Sequence, residues 1–140
     1  NAGINAGCSC SSMRIIGIGT DIVEISRIEA LLERHPQRFA ERILHAQELA
    51  TFGQVTAKAA WLAKRFATKE AVAKALGTGI GKDVHLQEIE TAHDERGKPI
   101  LRLHGVTLVT AQCLGVTKYD LSVADERSHA LAFVVLSGLM

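Results

Sequence analysis

The stretch Arg65-Phe66-Ala67-Thr68-Lys69-Glu70-Ala71-Val72-Ala73-Lys74-Ala75-Leu76-Gly77-Thr78-Gly79-Ile80-Gly81 decides the fold. Its alanines, with Val72, Leu76 and the upstream Trp61, Leu62 and Phe66, leave few polar positions. That pattern predicts a long helix over 57–76 that is covered on most sides. Thr56 is placed to cap its start, and Gly77 to end it in the left-handed conformation. Arg65, Lys69, Glu70 and Lys74 are then charges inside a largely buried helix, where an unpaired charge is costly. Each needs a partner.

Upstream, Arg14 to Ile25 opens with β-branched residues and then places Gly17, Gly19 and Asp21 where the apolar run breaks. Glycines there mark a bulge or the close approach of another backbone or a ligand, and put Asp21 at a strand end. Ser26 reads as the N-cap of a helix over 26–34, with Ile28, Leu31 and Leu32 at helical spacing. Pro36 restarts the chain in a short helix to Ile43, and another covers His45 to Gly53. Downstream, two strands flank Asp94-Glu95-Arg96-Gly97, a helix follows over 105–114, and a second hairpin turns at 125–128. This order predicts an α+β fold, a mainly antiparallel sheet packed on the long central helix. Residues 13–140 read as one domain, and residues 1–12 as a disordered leader or appended tail before Met13.

With 140 residues, 47% hydrophobic and 22% charged, the chain has the profile of an ordinary globular domain. Only 4% is aromatic, so the core must be built from aliphatic residues and alanine. A formal net charge of +1 gives no signal for nucleic acid and confines electrostatic recognition to local patches. No apolar run approaches the roughly 20 residues of a membrane span. Cys8, Cys10 and Cys113 form neither a disulfide framework nor a metal spacing, which suits a reducing cytoplasm.

Asp21 and Glu70 are the carboxylates most in need of explanation. On spacing alone, Lys74, one turn after Glu70, is its natural ion-pair partner. Alternatively the two carboxylates hold Mg²⁺ together with a substrate's phosphates. Arg65, Lys69 and Lys74 beside the Gly77–Gly81 loop could surround a phosphate group, although the loop follows a helix C-terminus and is no P-loop. Arg27, Arg34, Arg38 and Arg42 read as a solvated face paired with Glu24, Glu29, Glu33 and Glu41. The six histidines show no regular metal spacing.

Gly17-Ile18-Gly19-Thr20-Asp21-Ile22-Val23-Glu24-Ile25, Arg65-Phe66-Ala67-Thr68-Lys69-Glu70-Ala71 with Lys74-Ala75-Leu76-Gly77-Thr78-Gly79, and Leu121-Ser122-Val123-Ala124-Asp125-Glu126 resemble the holo-[acyl-carrier-protein] synthases. Arg38-Phe39-Ala40-Glu41-Arg42-Ile43-Leu44 extends the likeness over essentially everything from Met13 onward. The resemblance implies transfer of the 4′-phosphopantetheine arm of coenzyme A to a serine of an acyl carrier protein, supporting fatty acid biosynthesis. It implies Mg²⁺ held by Asp21 and Glu70, with these two and Lys74 as the catalytic residues. It also implies coenzyme A phosphates on Arg65 and Lys74, and a nucleotide near Gly77, Thr78 and Gly79. A homotrimer with interfacial sites follows from the family, with the Ser122 segment near the interface. Because such carrier proteins are acidic, Arg27, Arg34 and Arg38 become the expected docking face. Asp125 stands where many relatives carry histidine. The competing reading is a coenzyme A or nucleotide binding module without the chemistry.

Overall fold

In the computed structural model the first strand, β1 (Met13–Glu24), runs straight through its glycines. It pairs antiparallel with the last, β5 (His129–Leu139), which also pairs with β4 (Lys118–Asp125), giving the order β1-β5-β4. The structure describes residues 12–140, so the leader up to residue 11, with Cys8 and Cys10, lies outside the described residues. The bulge and close approach expected at the glycines are there, but the strand end expected at Asp21 is not. Asp21 sits inside the strand, opposite Ala132, and the only irregularity is a register shift between Ile15 and Gly17.

Three helices lead to the long one: α1 (Ile25–Arg34), α2 (Arg38–Ile43) and α3 (Ala46–Phe52). Helix α4 (Lys58–Leu76) then packs on the sheet. Two expected caps fail. Ser26 lies within the first turn of α1, whose leading amide, Ile25 N–H, is instead satisfied by the Ser128 carbonyl at 2.9 Å. Thr56 does not cap α4, which begins after Ala57 without a side-chain cap. Gly77 does end α4, at φ 83°.

A second, two-stranded sheet joins β2 (Ile89–His93) to β3 (Pro99–Leu103). Its turn needs Gly97 at φ 85°, and the Asp94 carboxylate accepts from the amides of Arg96 and Lys98 at 2.8 and 2.9 Å. Helix α5 (Gly105–Cys113) follows.

The α+β expectation holds, with the antiparallel three-stranded sheet against the central helix. Ala63, Ala67, Ala71, Val72 and Ala75 of α4 are buried, as are Ala130, Ala132, Val134 and Leu136 of β5. Small side chains on both layers let the helix lie close to the sheet. Among the described residues no helix is long and apolar enough to cross a membrane.

Candidate active site

The approach of α4 to β1 builds the centre. A Cβ on Gly17 would overlap the Ala75 carbonyl oxygen, and one on Gly19 the Ala71 carbonyl oxygen. With no side chain in the way, strand and helix backbones meet directly, and Asp21 arrives beside the last turns of α4. Lys74 Nζ donates to Asp21 Oδ1 at 2.9 Å and to the Thr20 carbonyl at 3.0 Å. The intrahelical Glu70–Lys74 ion pair suggested by spacing does not form. Lys74 ties the helix to the strand instead, because the glycine contact brings Asp21 within its reach.

Glu70 makes no hydrogen bond or ion pair among the described residues, and it lies close enough to Asp21 to be repelled by it. Burial first, and then the Asp21 charge, holds its carboxyl above the usual carboxylate range, with Lys74 pulling the other way. Two partly buried carboxylates close enough to feel each other's charge form an all-oxygen donor set of the kind hard dications take. The residues fit Mg²⁺: a dication there would offset the burial and the Asp21 charge that together raise Glu70.

Just beyond, Gly77 and Gly79 adopt φ 83° and 72°. The Gly79 amide donates to the Ala73 carbonyl at 3.2 Å, folding the loop back on the helix end next to Lys74. Thr78 is exposed on this loop.

Arg65 belongs to a different face. Five residues separate it from Glu70, about 140° around the helix. Its guanidinium stacks 3.8 Å above the Trp61 ring, and its Nε, 3.6 Å from Glu48 Oε2, is buried without a hydrogen bond. Desolvation pulls its pKa down and Glu48 pushes back, yet a guanidinium stays charged. Arg65 lines a pocket of about 190 Å³ with Lys64, Thr68, His93, Val123 and Asp125. Asp125 pairs there with Lys64 at 3.5 Å. Burial, and then the Arg65 charge, lowers the His93 pKa.

Lys69 is not available to a phosphate. It is 1% exposed and donates to Glu48 Oε1 at 2.7 Å, to the Leu86 carbonyl at 3.0 Å and to the Ile89 carbonyl. Glu48 also accepts from the His45 amide at 3.0 Å and the Thr91 amide at 2.9 Å. Sequence reasoning missed Glu48. Its position three residues after His45 is the capping-box spacing, and that signal would have flagged it. Lys64 and His93, which share the pocket with Arg65, were missed too and left no comparable signal.

Ser122 is exposed on β4 opposite Phe133, on the sheet face away from Asp21, which pairs with Ala132. Within one chain it therefore does not join the carboxylates. Arg27, Arg34 and Arg38 are exposed, and none of them, nor Glu24, Glu29, Glu33 or Glu41, forms an ion pair among the described residues. The expected web of salt partners is absent from this face. Two histidines that lack metal spacing in sequence, His45 and His104, do converge, on Glu90.

Residues 17–134 match the 4′-phosphopantetheinyl transferase superfamily. The chain belongs to this family. Among its relatives, a holo-[acyl-carrier-protein] synthase of Alkalilimnicola ehrlichii is 53% identical, over 87% of this chain and 96% of the relative. The crystal structure of the holo-[acyl-carrier-protein] synthase of Neisseria meningitidis is 44% identical with a TM-score of 0.84, covering 88% of this chain and 98% of that one. A structure of the Bacillus anthracis synthase, in complex with CoA (3′,5′-ADP), is 39% identical with a TM-score of 0.76, covering 89% and 97%. The motifs around Asp21, Glu70 and Ser122 all lie inside the matched span of the family.

Proposed function

We infer that this chain is a holo-[acyl-carrier-protein] synthase, moving the 4′-phosphopantetheine arm of coenzyme A to a serine of apo acyl carrier protein and releasing adenosine 3′,5′-bisphosphate. Membership of the family and the high identity to curated synthases support the activity. The observation that carries the chemistry is the Asp21–Glu70 pair, two carboxylates coupled by charge beside the glycine contact between β1 and α4.

Asp21 and Glu70 would hold Mg²⁺, which when bound supplies positive charge to the pyrophosphate. The serine oxygen forms a bond to the β-phosphorus while the bond from that phosphorus to the bridging oxygen breaks, and the bisphosphate leaves with the electron pair. Glu70, or a water held by Glu70 and Asp21, takes the serine proton; the raised carboxyl of Glu70 suits a base. Lys74, half-exposed, can leave Asp21 for the departing phosphate. The glycine loop at Gly77, Thr78 and Gly79 lies beside Lys74, where a nucleotide can approach its backbone.

Arg65 and its pocket provide a second cationic surface for coenzyme A phosphates. It lies round the helix from the carboxylates, so one molecule of substrate bridges them most simply across two chains. The outer face of the sheet supports assembly: Ile18, Ile22, Leu131 and Phe133 are 59%, 63%, 42% and 45% exposed and neighbour one another in register. We assign this face to a homotrimer in which the Ser122 segment reaches a neighbour's site. Unpaired Arg27, Arg34 and Arg38 dock the acidic carrier protein. The reaction belongs to fatty acid biosynthesis in the cytoplasm, with neither nucleic acid nor membrane as a partner.

Incubation with coenzyme A, Mg²⁺ and an apo carrier protein should add the mass of the arm to the carrier. Bound coenzyme A without transfer to any of several carriers would favour a binding module instead.

A further inference from the structure

His45, Glu90 and His104 come from three separate elements: the N-cap of α3, strand β2, and the residue between β3 and α5. One possible ligand atom from each lies within 4.8 Å of the others. Glu90 Oε1 is 2.9 Å from His104 Nε2 and 3.8 Å from His45 Nδ1. The Glu90 side chain is 7% exposed, whereas those of His45 and His104 are 20% and 39% exposed. A buried oxygen is thus covered by two imidazoles that open to solvent.

We propose that this cluster is a binding site for a transition-metal dication of the Zn²⁺ or Co²⁺ type, separate from the Asp21–Glu70 centre. Two imidazole nitrogens and one carboxylate are the donors that borderline cations prefer and that Mg²⁺ does not. With neutral imidazoles the cluster carries one negative charge. The nearby cation Lys69 is hydrogen-bonded to Glu48, at 2.7 Å, rather than to Glu90.

The present separations of 2.9 and 3.8 Å bracket the roughly 3.3 Å edge of a tetrahedron with bonds of about 2.05 Å. The two rings are stacked, centroids 4.2 Å apart and planes 16° from parallel. Their lone pairs therefore do not yet converge on one point. Coordination requires His45 to turn out of the stack, which releases the Gln47 amide that its Nδ1 now accepts at 3.1 Å. Helix cap and metal ligand are alternative uses of one nitrogen. The exposed flank at His104 provides entry and leaves a position for solvent.

Titrating the full chain with Co²⁺ in excess Mg²⁺, which blocks the hard carboxylate site, tests this. Saturation at one equivalent with the visible absorption of a low-coordinate Co²⁺ centre is expected, displaced by Zn²⁺. His104→Gln, and His45→Asn, which keeps a capping side chain, should each weaken binding at least about tenfold. Circular dichroism of each variant before metal addition confirms its fold, and Glu70→Gln should bind Co²⁺ as the parent does. Absence of saturable binding, or binding that vanishes in Glu70→Gln and survives both histidine variants, would overturn the proposal.

Discussion

Glu48 packs against helix α4 and Glu70 belongs to it, and the fold treats them in opposite ways. Glu48, 1% exposed at its side chain, accepts from Lys69, from the His45 amide and from the Thr91 amide. The Glu70 side chain makes no hydrogen bond among the described residues, and it is repelled by another carboxylate, Asp21. The first carboxylate has both oxygens engaged by donors of the same chain and holds the fold together. The second is left under-compensated at the surface, an arrangement that makes sense when something outside the chain completes it. The same contrast separates Lys69, locked in place, from Lys74, which is 54% exposed and anchored only to β1.

The sharpest way to break this contrast is to attack the compensated side. Lys69→Met leaves buried Glu48 without its hydrogen-bonded cation and with only the longer Arg65 contact, and should cost about 3–5 kcal/mol in urea unfolding. A loss below about 1 kcal/mol would mean that the amides alone satisfy Glu48. At an intermediate scale, the arginines of α1 and α2 offer a third kind of charge, with no ion pair among the described residues. Arg27→Glu should raise KM for the carrier protein about tenfold and leave KM for coenzyme A as it was. An unchanged carrier KM would return this face to solvent.

The smallest effect is a gain in stability from the open side. Glu70 is raised in the folded state relative to the unfolded chain, so the folded state binds more protons between the two values. Its contribution to stability is full below the ordinary carboxylate value and is lost as pH rises through the folded one. At neutral pH the ionised carboxylate is therefore a burden on the metal-free protein. Glu70→Gln should raise Tm by roughly 1–3 °C in chelator at pH 7, with the difference shrinking toward pH 4. A fall in Tm at pH 7 would show that Glu70 is stabilising.

Local features made the fold readable. Alanine-rich patterning and Gly77 outlined α4, Gly97 marked its hairpin, and the order of elements gave the class. Caps were less secure, because Ser26 and Thr56 suit the role chemically while the backbone enters its helices elsewhere. Gly17 and Gly19 announced a close approach without saying which backbone approached, and the answer, α4, settles what Lys74 can reach. Its partner Asp21 is 53 residues away, so helical spacing favoured Glu70 by default. Lys69, set in a run of cations beside glycines, read as a phosphate contact. Only the packing of α3 and β2 over the helix shows that it faces inward. Ser122 illustrates a further limit: its motif was visible, but its place on the outer sheet face gives it no partner in the centre of its own chain.

The most direct test of the central claim is transfer by Glu70→Gln, measured by mass on an apo carrier protein with saturating coenzyme A and Mg²⁺. The variant should lose at least about 100-fold in rate while unfolding no more easily than the parent. Parental turnover by this variant would contradict the assignment of Asp21 and Glu70 as the reacting centre.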